Sequence, residues 1–195
     1  MLFGLDKLRK TYLSGWTFSL LCLIGMASCQ KPVNERRVFL CKWHLSYEDS
    51  LQFPNHVRDA SGKGTYYSRT NVKNEYSDGI SFPIPDSLLG RDLRIKISCQ
   101  FRKGPGHGEA LLVAQVVQEE QNFFYNAFYL PDYGPRENTW VKMEDSTQVN
   151  LQVNKPAEKK LTLKVYLWNR EDFNVDLDDL DVELFQIVSE EQTKS

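Results

Sequence analysis

Between Asp92 and Arg102 every second residue is apolar: Leu93, Ile95, Ile97, Cys99 and Phe101 alternate with Arg94, Lys96, Ser98, Gln100 and Arg102. A period of two puts the first set on one face of an extended strand and the second on the other, so one face is core and one is wet. The same period runs through 38–45, 64–70, 110–118, 122–130, 139–143, 148–153, 160–168 and 173–187, all rich in β-branched and aromatic residues. Turn-forming clusters separate these runs, among them Ala60-Ser-Gly-Lys-Gly64, Phe82-Pro-Ile-Pro-Asp-Ser87, Gly104-Pro-Gly-His-Gly108 and Pro131-Asp-Tyr-Gly-Pro135. No segment shows the 3.6-residue period of an amphipathic helix. Eight or nine short strands at this pitch predict an all-β fold, an antiparallel β-sandwich over residues 38–188.

Two strands carry finer information. Leu161, Leu163, Val165 and Leu167 share one parity and so point inward together, leaving Thr162, Lys164, Tyr166 and Trp168 on the other face. In the last run Val175 and Leu177 have one parity while Leu180, Val182 and Leu184 have the other. Both sets reach the core only if a bulge near Asp178-Asp179 shifts the alternation by one residue.

The first 28 residues do not belong to that pattern. Lys7, Arg9 and Lys10 precede an uncharged apolar stretch, Trp16 to Ser28. As a helix it would reach roughly 20 Å, short of the ~30 Å hydrocarbon core, so its layout is that of a signal peptide over residues 1–28 and not of a spanning helix. It ends in Met26-Ala27-Ser28-Cys29, which resembles the lipobox of bacterial lipoproteins in the form seen in Bacteroidetes. That resemblance implies cleavage before Cys29, lipidation of its thiol and attachment to the outer membrane. The face of the membrane stays open, since Gln30 to Arg37 lacks the acidic cluster that surface-exported members often carry after the cysteine. Residues 29–37 then read as lipidated cysteine and tether, and 189–195 as a polar tail.

Removing residues 1–28 leaves 21 Lys+Arg against 25 Asp+Glu, a net charge of −4. A mildly acidic domain is a poor electrostatic partner for nucleic acid. Of the four cysteines only Cys41 and Cys99 would remain as thiols, both on apolar faces of strand-like runs. One disulfide, or two buried free thiols acting as small hydrophobes, fits an envelope compartment.

Three pieces of the domain resemble a family: Asp59-Ala-Ser-Gly-Lys-Gly-Thr-Tyr66 with Asn74-Glu-Tyr-Ser77, then Asn138-Thr-Trp-Val141, then Lys160 to Asn169 with Val175-Asp-Leu-Asp-Asp-Leu180. They are similar to Bacteroidetes proteins with a galactose-binding-like jelly roll, the fold of many carbohydrate-binding modules. The resemblance covers roughly residues 40–187 and implies a jelly-roll architecture more than any ligand.

Catalytic signals are sparse. His44, His56 and His107 are the three histidines, and no Gly-x-Ser-x-Gly, His-Glu-x-x-His or phosphate-binding glycine loop accompanies them, which points away from an enzyme. Asp176, Asp178 and Asp179 raise a structural calcium, with Asp179 the favoured ligand because backbone carbonyls turn outward at a bulge. The outward aromatics offer the remaining chemistry, for sugar C–H faces stack on Tyr and Trp while hydroxyls seek Arg, Asn or Gln. Tyr125, Tyr166 and Trp168 as stacking residues, with Arg94 as a polar fork beside Lys96 and Gln115, make a glycan-binding face. A protein-interaction subunit of an envelope complex would use the same fold with an aromatic patch for another protein.

Overall fold

A computed structural model of the chain describes residues 35–48, 54–58, 66–119, 121–151 and 160–189. The signal segment, Cys29, the Ser61-Gly62-Lys63 turn and the tail beyond Ser189 lie outside the described residues. Among the described residues ten strands follow in order: β1 (Glu35–Leu45), β2 (His56–Arg58), β3 (Tyr66–Thr70), β4 (Ile80–Pro83), β5 (Asp92–Lys103), β6 (Ala110–Gln118), β7 (Gln121–Tyr129), β8 (Trp140–Asn150), β9 (Thr162–Asn169) and β10 (Val175–Ser189). Two short 3₁₀ turns, Asp86–Leu88 and Leu130–Tyr133, supply what helix the described residues contain.

The pairings are nested. β6 pairs β7, β5 pairs β8, β4 pairs β9 and β3 pairs β10, every pair antiparallel. A hairpin of strands folded across itself in this way is the jelly roll, and it sorts the eight strands alternately into two sheets. One sheet runs β4-β9-β6-β7; the other runs β2-β3-β10-β5-β8, with β1 added along β10.

The alternation read from the sequence is the alternation observed. Leu93, Ile95, Ile97, Cys99 and Phe101 of β5 are all buried and meet Leu112, Ala114 and Val116 of β6 and Leu163, Val165 and Leu167 of β9 in one core. Trp43 of β1 closes one side of it, stacked on Phe82 of β4 with ring centroids 3.4 Å apart and planes 13° from parallel. The bulge expected in the last strand is present. Pairing of β10 with β5 slips between Asp178 and Asp181, Asp179 takes a left-handed φ of 48°, and Val175, Leu177, Leu180, Val182 and Leu184 are all buried. That bulge is also a hand-over, because Val175–Leu177 pair with β3 while Leu180 onward pairs with β1.

The structure corrects one expectation and decides between the two alternatives for the cysteines. Residues 139–143 and 148–153 are not two strands, since β8 runs unbroken through Glu144-Asp145-Ser146. Asp145 sits there at a core-facing parity opposite Ile97, and the Tyr133 hydroxyl donates to its carboxylate, so a charge at an edge strand interrupts the apolar pattern without interrupting the strand. β2 and β4 were too short to read as strands. A Cys41–Cys99 disulfide is excluded by register: Cys41 and Ile95 both face Leu184 across β10, and Cys99 lies four residues further along β5. Two strand spacings of ~4.8 Å and four rises of ~3.3 Å separate the cysteines well beyond the ~7 Å that a bridge tolerates. Both thiols are free, and burial in the core pushes that of Cys99 up to about 12.

Candidate functional site

The outer face of the four-stranded sheet is built from the residues that alternate with the core. Register aligns them in three rows across β9, β6 and β7: Trp168 with Leu111 and Tyr129, Tyr166 with Val113 and Ala127, Lys164 with Gln115 and Tyr125. Facing residues in such rows lie ~5 Å apart, so each row is a continuous surface. Val113 is fully buried on this outward face, beside Tyr166. The bulky β9 side chains thus raise the surface above the sheet.

A fourth wall comes from the segment between β3 and β4. Glu75 to Ser77 runs antiparallel to the end of β9, with the Asn169 amide donating to Glu75, the Ser77 amide donating to Leu167 and the Leu167 amide donating to the Ser77 hydroxyl. This carries Tyr76 over the sheet. Its ring lies parallel to Trp168 at 6.1 Å and edge-on to Tyr166 at 5.6 Å. Three residues later the chain comes so near β9 that only glycine fits: a Cβ on Gly79 would fall 2.3 Å from the Val165 carbonyl oxygen and 2.8 Å from Tyr166 Cβ.

Between these walls is an open groove of about 360 Å³, lined by Tyr76, Gly79, Ser81, Gln115, Lys164 and Tyr166 among others. Tyr76 and Tyr125 are about half exposed, while Tyr166 and Trp168 keep one part covered and one part free. Burial, followed by the neighbouring Tyr125 and Tyr76, raises the Tyr166 phenol above its ordinary range, so it stays a neutral donor. At the far end Arg170 stacks over Trp168 at 4.8 Å, and the indole Nε1 faces Glu75 Oε2 at 3.5 Å. Flat aromatic faces beside an amide, a hydroxyl and an ammonium can stack against one side of a ring and hydrogen-bond its substituents.

The structure brings together Tyr125, Tyr166 and Trp168, and it parts Arg94 from them. Arg94 and Lys96 belong to β5, on the outer face of the other sheet, where Arg94 approaches Glu35 at 3.9 Å and Lys96 pairs with Glu144 at 2.7 Å. Parity alone says that a residue points outward; it does not say from which sheet, and the β5/β6 crossover decides that. Tyr76 was missed because Asn71 to Gly79 has no period, and its place depends on backbone bonds to β9.

The acidic residues proposed for calcium are otherwise engaged. Asp176, almost wholly buried, accepts from Arg69 at 2.7 and 3.1 Å and from Arg102 at 3.0 and 2.8 Å. Asp179 accepts from the Gln100 amide at 3.0 Å. Among the described residues no three His, Cys, Asp or Glu side chains converge as a metal site. Of the histidines, His44 lies on the β1 surface with Nδ1 2.8 Å from Asp181 Oδ1, and His107 is exposed in its Gly/Pro loop.

No protein-family profile matches the chain, and no curated protein matches it in sequence. Solved structures similar to it include a family 16 carbohydrate-binding module, at 11% identity and a TM-score of 0.40 over 70% of this chain and 94% of that one. Another is the CBM22-1 xylan-binding domain from Paenibacillus barcinonensis Xyn10C, at 14% identity and 0.38 over 76% and 85%. A cyclase from Fischerella sp. TAU aligns at 6% identity and 0.36 over 76% and 88%. Likeness at this level brings no ligand with it.

Proposed function

We propose that the chain is a non-catalytic module that binds glycan in the groove on the outer face of the β4-β9-β6-β7 sheet, and that it is held at a bacterial outer membrane by a lipid on Cys29. The observation that carries the binding role is the meeting of Tyr76 and Tyr166 in one open groove that Ser77, Ser81, Gln115 and Lys164 also line, with Trp168 stacked on Tyr76 beside it. A groove of this size falls within the ~300–1,000 Å³ range of small-ligand sites, and its aromatics suit the apolar face of a sugar ring. The lipid anchor rests on the lipobox-like Met26-Ala-Ser-Cys29 and the uncharged stretch before it.

The test is a glycan-array screen of the full chain beside Trp168→Ala and Tyr166→Ala. Binding of a defined set of glycans by the wild type, lost in both variants, supports the reading. Glycan binding that both variants retain places the site elsewhere, and no glycan binding alongside a stoichiometric protein partner identifies an interaction subunit instead.

A further inference from the structure

We infer that the groove selects glycans bearing an anionic substituent, a carboxylate or a sulfate, and that Lys164 is the residue that reads it. This deepens the proposed glycan-binding role and rests on it.

Lys164 sits in the middle of β9, the second strand of its sheet, facing Ser81 on β4 and Gln115 on β6. Its same-face neighbours along β9 are Thr162 and Tyr166, and the diagonal positions on β6 are Val113 and Val117. Every one of these is uncharged. On the opposite sheet Lys96 has a carboxylate partner in Glu144, and Lys42 has two in Asp181 and Glu183. Among the described residues Lys164 has no ion pair.

The position is also more confined than a free surface lysine requires. Lys164 is half-buried and lines the groove, where its ammonium is the one formal charge among the described lining residues, beside Tyr76, Ser81, Gln115 and Tyr166. An ammonium held among neutral donors and acceptors gains from an anion that enters with the ligand, because the attraction is screened less than at an open surface and the anion accepts up to three N–H bonds. Gln115 supplies an amide in the same row and the Ser81 hydroxyl flanks the other side, so an anionic group on Lys164 would be hydrogen-bonded from both. At the other end, beside Trp168 and Tyr129, Glu75 and Glu109 stand with Arg170, so charges of both signs meet there.

The experiment is affinity electrophoresis of the full chain through gels carrying a neutral polysaccharide, a uronic-acid polymer or a sulfated polymer, at two salt concentrations, followed by titration to obtain Kd. Lys164→Gln and Lys164→Arg are run beside the wild type, with Lys96→Gln as a cation on the opposite sheet. A charge-assisted contact gives a preference for an acidic over a neutral polymer of roughly tenfold or more. That preference should shrink as salt rises, vanish in Lys164→Gln, survive in Lys164→Arg and be unaffected in Lys96→Gln. Which acidic polymer binds identifies the anion as carboxylate or sulfate. Equal binding of neutral and acidic polymers by wild type and Lys164→Gln overturns the role of Lys164 and leaves the glycan-binding role standing. No binding of any polymer by a folded chain overturns both.

Discussion

Tyr76 lies parallel to Trp168, with ring centroids 6.1 Å apart and an interplanar angle of 12°, although the two are far apart in the chain. An isolated bridge between the two residues fixes the contact from the backbone, so the stacked pair is part of the fold and is in place before any ligand arrives. A preorganised aromatic wall spares the ordering entropy that a mobile one would cost on binding. Tyr76→Ala should therefore weaken glycan affinity about tenfold or more, near 1.4 kcal/mol, while leaving the unfolding midpoint little changed because the ring is half exposed. Titration calorimetry beside urea unfolding separates the two effects.

Gly79 is the second fixed point of the same wall. Gly79→Ala places a methyl group against the Val165 carbonyl and Tyr166 Cβ, so β4 must lift from β9 or the strands must shift. The expected loss is about 1–3 kcal/mol of stability, with glycan affinity falling in parallel. Urea denaturation of the variant, with ligand titration under native conditions, checks both.

On the opposite sheet Asp176 joins Arg69 from β3 and Arg102 from β5 across the middle of the strand order. Tyr67 and Trp140 lie against the guanidinium of Arg102, at 4.9 and 4.7 Å, so one carboxylate anchors four strands. Asp176→Ala removes the acceptor and leaves two partly covered cations unpaired. It should cost about 2–4 kcal/mol by denaturant unfolding, a range set below a fully buried pair because both arginines keep some exposure.

The bulge carries a pH signature. Burial raises Asp178 to about 6, with repulsion from Asp179 and Glu48 adding to it and the Asp179 amide and His44 opposing it. A carboxyl whose folded pKa lies above its unfolded value near 3.9 is neutral in both states at low pH, and as pH rises it ionises first in the unfolded chain. Its contribution is therefore fully present below pH ~4 and is lost as pH climbs through ~6. Asp178 is only about half-buried, so solvent screening reduces the full effect to about 1–2 kcal/mol. Asp178→Asn should flatten the fall in stability between pH 4 and 6 relative to wild type and raise stability at pH 7. Thermal unfolding of both proteins across that window is the check.

The anchor is tested by Cys29→Ala with cell fractionation. The variant should leave the membrane fraction, since without the thioether no acyl chain is attached; retention as firm as the wild type would exclude lipidation at Cys29. One acyl chain anchors only marginally, so the multiply acylated cysteine implied by the lipobox is what would hold the protein.

The strands of this fold were legible where one face is uninterrupted core. β5 and β9 alternate without a break, and the conflict of parity at Asp178-Asp179 located a bulge because both apolar sets had to reach the same interior. β8 was misjudged where a carboxylate takes a core-facing parity at an edge, since edge strands need not be apolar throughout. Outward parity places Tyr125, Tyr166 and Trp168 on sheet surfaces, and register brings them to one face, whereas Arg94 falls on the other sheet, because strand parity carries no information about which sheet a strand joins. Tyr76 came from a segment whose placement rests on backbone hydrogen bonds to Leu167 and Asn169, a long-range pairing that local pattern does not encode.

The central claim concerns which face of the sandwich holds a glycan, and amide chemical-shift mapping during titration with an array-selected oligosaccharide addresses it most directly. Perturbations should concentrate on Tyr76–Ser81, Val113–Gln115, Tyr125 and Lys164–Arg170, with Arg94, Lys96 and Glu144 on the other sheet unmoved. Perturbations gathered around Arg94, Lys96 and Glu144, with the β9 amides silent, would contradict it.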